Sequence, residues 1–134
     1  MPETKRDAKR DARRKQVILC VDDDRDVLDN LKIVLESGGY EMIQAMTAEE
    51  ALKVARSRRP DLFIIDLMME EIDAGVGLVK SLKAEGFAAP VYMLSSVGDN
   101  LNLSTDYAEL GLSGVFQKPI EPKALLSILK TRLK

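Results

Sequence analysis

Four polar clusters each close an apolar run: Asp22-Asp23-Asp24 after Val17–Val21, Asp66 after Leu62–Ile65, Ser95-Ser96 after Val91–Leu94, and Lys118-Pro119 after Val115-Phe116. Each run has strand character, so every cluster belongs at a strand's carboxyl end. Several carboxylates on one rim repel and resist ionising together, which calls for a cation. A hard divalent ion with oxygen ligands fits, and Mg2+ suits two or three carboxylates that leave waters and a phosphoryl oxygen in place. Asp66 follows a wholly apolar strand, which sets its carboxylate at the centre of the rim. From there it can attack a phosphoryl group in line, while the Lys118 ammonium grips one phosphoryl oxygen and the Ser95 hydroxyl another. The product is an aspartyl phosphate. Asp22 to Asp24 taken alone are as well explained by capping of the following helix. Their combination with Asp66, Ser95 and Lys118 at successive strand ends favours chemistry.

Composition removes competing chemistries. The 134 residues include no histidine, no tryptophan and one cysteine, Cys20. A Ser-His-Asp or Cys-His nucleophile, a His-ligated zinc and a phosphohistidine on this chain are excluded, as is an internal disulfide. With 46% hydrophobic and 31% charged residues, the chain suits one domain that folds without staples. Its richest apolar run, Leu62 to Met69, is interrupted by Asp66 and falls short of the ~20 residues of a membrane span. The charged start has no apolar signal region behind it. A cytoplasmic protein with Cys20 reduced is expected.

Net charge is -2, but Met1 to Lys15 holds 7 basic and 3 acidic residues, leaving 13 basic against 19 acidic for the remainder. Residues 1–15 are expected to be a basic tail, disordered or helical, with KRDA repeated at period four and almost no apolar content. Its bland role is as a solubilising leader. Binding to nucleic acid or anionic lipid is the alternative, weakened by the absence of interleaved aromatics. From Gln16 to Lys134, apolar runs alternate with amphipathic ones. The spacing predicts strands at Val17–Val21, Glu41–Ala45, Leu62–Ile65 and Val91–Leu94, and a short fifth strand that begins at Val115-Phe116 and is ended by Pro119. Helices are predicted through Leu28, Leu31, Ile33, Val34 and Leu35, ended by Ser37, Gly38 and Gly39, after Thr47 with Glu50 as a capping box, over Gly75–Glu85 and over Lys123–Arg132 behind Pro122. Val97–Leu112 is a poorly specified fourth crossover. Five βα units argue for a five-stranded parallel sheet covered on both faces, doubly wound and flavodoxin-like, with strand order 2-1-3-4-5.

On VILCVDDDRDVLDNL, PDLFIIDLMM, PVYMLSS and GVFQKPI, the sequence resembles the receiver domains of two-component response regulators, over essentially all of residues 16–134. The resemblance implies that Asp66 accepts a phosphoryl group. Asp22, Asp23, Asp66 and the Met68 backbone carbonyl would then serve an Mg2+ site, with Asp23 the more direct ligand of the first pair. It implies that Ser95, beside Ser96, is the switch hydroxyl, Lys118 the phosphate-binding lysine, and the bond before Pro119 cis. The implied partners are a sensor histidine kinase or histidine phosphotransfer protein, and a downstream protein target or a homodimer through the fourth and fifth crossover faces. The last helix ends with the chain, so no DNA-binding domain is expected here, and output runs through a partner or the chain belongs to a longer protein.

Four departures bear on behaviour. Glu70 stands where proline is usual, and Asp73-Ala74-Gly75 carries one extra residue, for which loop drift is the simpler account. Val115 occupies the aromatic switch position, while Phe116 should face the other side of its strand. The relay then runs through Ser95 and the fourth crossover, the expected output surface. Met68 and Val97, two residues beyond Asp66 and Ser95, carry no group to orient hydrolytic water, so self-dephosphorylation should be slow. The competing functions are a degenerate receiver that only scaffolds and a metal-dependent aspartyl-phosphate phosphatase. The latter commonly wants an acid where Met68 stands.

Overall fold

A computed structural model describes residues 15–67, 74–96 and 111–133. These contain, in chain order, β1 (Val17–Val21), α1 (Arg25–Ser37), β2 (Glu41–Ala45), α2 (Ala48–Arg58), β3 (Leu62–Asp66), α3 (Ala74–Ala84), β4 (Val91–Ser95), β5 (Gly114–Gln117) and α4 (Pro122–Arg132). The strands form one sheet in the order β2-β1-β3-β4-β5, and every neighbouring pair is parallel. This is the flavodoxin-like arrangement expected from the alternation of short apolar and longer amphipathic runs.

The sheet is covered on both sides because each strand is apolar on both. β1 and β3 are buried at all five positions. Leu19, Val21, Phe63, Ile65 and Met93 face Ala51, Ala55, Leu78, Val79 and Leu82 of α2 and α3. Ile18, Cys20, Leu62, Ile64, Tyr92 and Leu94 face Leu28, Leu31, Leu35, Leu125 and Leu129 of α1 and α4. The period of two in a strand divides these sets. Val115 packs against the first layer and Phe116 lies in the second, stacked on Tyr92 with ring centroids 5.2 Å apart. The aromatic ring therefore serves the α1/α4 side.

Helix starts follow local chemistry. The Asp24 carboxylate caps α1 by accepting from Asp26 N–H at 2.9 Å, and Glu121 caps α4 by accepting from Ala124 N–H at 3.0 Å. Thr47 caps α2 by accepting from Glu50 N–H at 3.0 Å. The return bond of a capping box normally reaches the cap residue's own N–H; here Glu50 accepts from Met46 N–H, one residue earlier, at 2.7 Å. Arg59 ends α2 with φ 47°. It lies over Phe87, and Arg56 makes a two-point pair with Glu85 at 2.9 and 2.6 Å. These contacts fix α2 to the chain leaving α3.

Three strands run further than their apolar runs suggest: β3 includes Asp66, β4 includes Ser95, and β5 spans Gly114 to Gln117. The ladder continues because parallel neighbours supply the backbone partners, Leu67 N–H to Leu94 O at 2.9 Å and Lys118 N–H to Ser95 O at 2.8 Å. α3 begins one residue earlier than the periodicity suggests. Residues 1–14 of the basic tail, the Glu70 loop and nearly all of the fourth crossover lie outside the described residues.

Gly75, at the start of α3, permits a close approach. A Cβ there would run into the Asp66 carbonyl oxygen and sit 2.8 Å from that of Leu67, both backbone atoms that cannot shift cheaply. Gly75→Ala is expected to lower unfolding free energy by roughly 1–3 kcal/mol and to shift the strand end that carries Asp66. Urea denaturation checks this, and unchanged stability would show that α3 can slide away freely.

Candidate functional site

Register assembles the rim. Val21 pairs with Ile65, so the next residues, Asp22 and Asp66, come side by side. Leu94 pairs with both Asp66 and Phe116, which brings Lys118, two residues on, to the same edge. Asp22, Asp66 and Lys118 also share strand parity, so all three lean toward the α1/α4 side, whereas Ser95 has the opposite parity.

The geometry follows. Lys118 Nζ lies 2.9 Å from Asp22 Oδ2 and 3.2 Å from Asp66 Oδ1. Asp22 and Asp66 are buried, while Asp23 is exposed at the mouth. One carboxylate oxygen from each of Asp22, Asp23 and Asp66 falls within 4.8 Å of the other two. The three acids of the Asp22–24 run thus have separate roles. Asp24 caps α1, Asp22 Oδ1 accepts from Asp24 N–H at 2.9 Å, and Asp22 and Asp23 join Asp66. Asp22 Oδ2 is buried, and its one close polar neighbour among the described residues is the Lys118 ammonium, with which it forms an ion pair. Lys118 is the cation that meets this oxygen, but among the described residues the three clustered carboxylates share that single ammonium, so the rim keeps an excess of negative charge. The donor set is all oxygen, so the residues present fit a hard divalent ion such as Mg2+.

The titration behaviour reflects the same crowding. Burial first, then the neighbouring Asp22 carboxylate, raise the Asp66 pKa to about 6 against the opposing pull of Lys118, with Asp23 adding to the rise. Burial works to lower the Lys118 pKa, but the Asp22 and Asp66 carboxylates outweigh it and the net movement is upward. Elsewhere, burial pushes the Cys20 thiol well above its ordinary value, with Asp22 adding. A thiol so placed is an inert core residue.

Ser95 lies half-buried at the end of β4, opposite Gln117, and its hydroxyl donates to the Ser96 carbonyl at 3.5 Å. Ser96 lines an apolar groove with Lys118, Pro119, Ile120 and residues of α1. The Lys118–Pro119 peptide bond is cis. Met68 and Val97 lie outside the described residues. Sequence reasoning missed the Asp22–Lys118 pair and the spacing role of Gly75. The glycine's position just before an apolar helical pattern was the only available signal for its role.

An open parallel sheet with a carboxylate cluster and a lysine at its carboxyl edge defines a class of α/β protein. Residues 18–130 match the response regulator receiver domain family, and the chain belongs to it. It is a signalling module rather than a conventional enzyme. The chain is 32% identical over 117 residues to the alkaline phosphatase synthesis transcriptional regulatory protein PhoP of Bacillus subtilis, covering 87% of this chain and 48% of that one. It therefore spans about half the length of the curated relatives it matches. Among solved structures, it is similar to a response regulator from Chloroflexus aurantiacus, with TM-score 0.80 and 33% identity over 90% of this chain and 98% of that one. It is also similar to the chemotaxis protein CheY4 of Vibrio cholerae, with TM-score 0.79 and 27% identity over 89% and 99%. Among the described residues, no helix is long and apolar enough to cross a membrane.

The raised Asp66 pKa sets a pH dependence. Folded Asp66 holds its proton more tightly than the unfolded chain does, so its ionisation above pH about 6 opposes folding. That cost is relieved as pH falls toward the unfolded value near ~4. In metal-free buffer at neutral pH, Asp66→Asn should be more stable than the parent by roughly 1–3 kcal/mol, with the gain fading toward pH ~4. Excess Mg2+ should narrow or reverse the difference by binding the parent. Urea titrations with chelator across this range check it; equal stability throughout would contradict the crowding.

Proposed function

We propose that this receiver accepts a phosphoryl group on Asp66 from the phosphohistidine of a histidine kinase or histidine phosphotransfer protein in the cytoplasm, and then changes its protein–protein contacts. The observation that carries this reading is the Lys118 ammonium set between the buried carboxylates of Asp22 and Asp66, at 2.9 and 3.2 Å. These 134 residues hold no histidine, so the donor imidazole lies outside them. In the transfer, an Asp66 carboxylate oxygen forms the new P–O bond while the P–N bond breaks and its electron pair returns to the donor's imidazole. Lys118 offsets charge on the phosphoryl oxygens, and the Ser95 hydroxyl donates a hydrogen bond to another. Asp22, Asp23 and Asp66, with the Met68 carbonyl, would hold Mg2+, whose contribution when bound is to neutralise charge on the phosphoryl oxygens and the crowded rim.

Lys118 also lines the groove beside α1, so redirecting its ammonium from Asp22 to a phosphoryl oxygen alters one wall of that groove. With valine at position 115, the remaining relay runs from Ser95 into the fourth crossover. The downstream target, or a homodimer on the fourth and fifth crossovers, would read that change.

Intact-mass measurement after a small phosphodonor plus Mg2+ should show one added phosphoryl group, absent in Asp66→Asn. Lys118→Ala should slow its appearance by about 10- to 100-fold. No gain in the parent protein would favour a scaffold, and multiple turnover of a phosphate ester would favour a phosphatase. Once formed, the phosphoprotein should outlast many minutes without a partner, because Met68 and Val97 supply no group to orient water. Decay within seconds, followed by mass or phosphate release, would overturn that expectation.

A further inference from the structure

The outward face of α1 carries alternating charges along one stripe. Arg25, Asp29, Lys32 and Glu36 recur at intervals of four, three and four residues, so they share one side of the helix, and all four are exposed. Such spacing would allow pairing within the helix, yet none of the four makes an ion pair with another described residue. From the amino end the signs run plus, minus, plus, minus, and from the carboxyl end they run minus, plus, minus, plus. A second α1 laid antiparallel therefore meets the opposite charge at every position. Beside the stripe lies Ile33, 68% exposed, the sole exposed large hydrophobic residue among those described. Val27, Asn30 and Val34, further round the same flank, line the apolar groove that runs to Pro119 and Ile120.

We propose that two copies of this chain associate through α1, antiparallel about a two-fold axis that passes between Asn30 and Leu31. This register joins Arg25 to the partner's Glu36 and Asp29 to the partner's Lys32, each contact occurring twice. It also sets the two Ile33 side chains on the same face of the helix pair, on opposite sides of the axis and ~7.5 Å apart along the helix direction. Each then covers apolar surface that the monomer leaves in water. Reversal symmetry of the stripe is what distinguishes a second copy from another partner. An unrelated helix would require complementary charge but not a pattern that complements itself when inverted. This face lies on α1, whereas the homodimer expected from the sequence uses the fourth and fifth crossovers. A single helix pair is small beside the ~1,600 Å² of a standard interface, so the dimer is weak and sensitive to salt.

Sedimentation equilibrium of the full chain from about 10 µM to about 1 mM, at low and high salt, tests the contact. Association is expected at low salt and should weaken on adding salt. Lys32→Glu and Asp29→Lys should each weaken self-association about tenfold or more, because each change puts like charges together twice. An equimolar mixture of the two variants should pair about as well as the parent, since the mixed register restores opposite charges throughout. Ile33→Ser should weaken the dimer without altering the circular dichroism spectrum. A protein that stays monomeric throughout, single variants that dimerise like the parent, or a mixture that fails to pair would each overturn the proposal. So would a parent monomer whose Ile33 substitution impairs only phosphotransfer from a partner, which would assign this face to that partner.

Discussion

Two carboxylates buried side by side with one ammonium between them form the constraint on which the rest of the structure depends. Asp22 and Asp66 could not both be ionised in a dry pocket without a cation, and Lys118 is the cation the fold itself provides. It reaches both acids, but it is one ammonium facing three clustered carboxylates, Asp23 included. The pocket is therefore folded but electrostatically incomplete. On the proposed phosphoacceptor reading, such a state would favour a divalent ion and a phosphoryl group together, because their opposite charges would balance each other as well as the rim. A neutral, fully satisfied pocket would be more stable and would have less affinity for either.

The sheet register makes this arrangement possible, and strand parity decides where its effects travel. Asp22, Asp66 and Lys118 lean toward α1 and α4, so a shift of Lys118 is felt by the groove formed by α1, Pro119 and Ile120. Ser95 and Val115 lean toward the opposite layer. A ligand held by both Lys118 and Ser95 would link the two faces of the sheet. With valine at position 115 and Phe116 fixed against Tyr92, the large aromatic mass of β5 lies on the α1/α4 side, away from the face that Ser95 addresses.

The strands and helices were legible because burial on both sides forces uninterrupted apolar runs, and helix caps require specific residues at specific offsets. The rim was legible because one polar residue after such a run has nowhere else to go. Three features were not. The extension of β3 through Asp66 depends on backbone bonds from β4, which no property of Asp66 announces. The role of Gly75 depends on the carbonyl oxygens of Asp66 and Leu67, placed there by another element. The division of Asp22, Asp23 and Asp24 into a lysine partner, a mouth residue and a helix cap depends on side-chain directions that three identical residues cannot reveal.

The same helix begins at the rim and carries the surface stripe. Asp24 caps α1, so Asp23 and Arg25 stand on either side of the residue that fixes its amino end. Contact on the stripe and occupancy of the rim can influence one another only if one of them has a different free energy in the two states of the other. Rotation or translation of α1 would satisfy that condition, since it would move the wall facing Lys118 as well as the charged stripe. Any such coupling must be equal in both directions. If α1 pairing strengthens when Asp66 is phosphorylated, pairing must favour the phosphorylated form by the same factor. A rigid α1, held by Leu28, Leu31 and Leu35 in the core, would leave the two events independent. The packing of three leucines, rather than distance, would then decide whether this surface carries the signal.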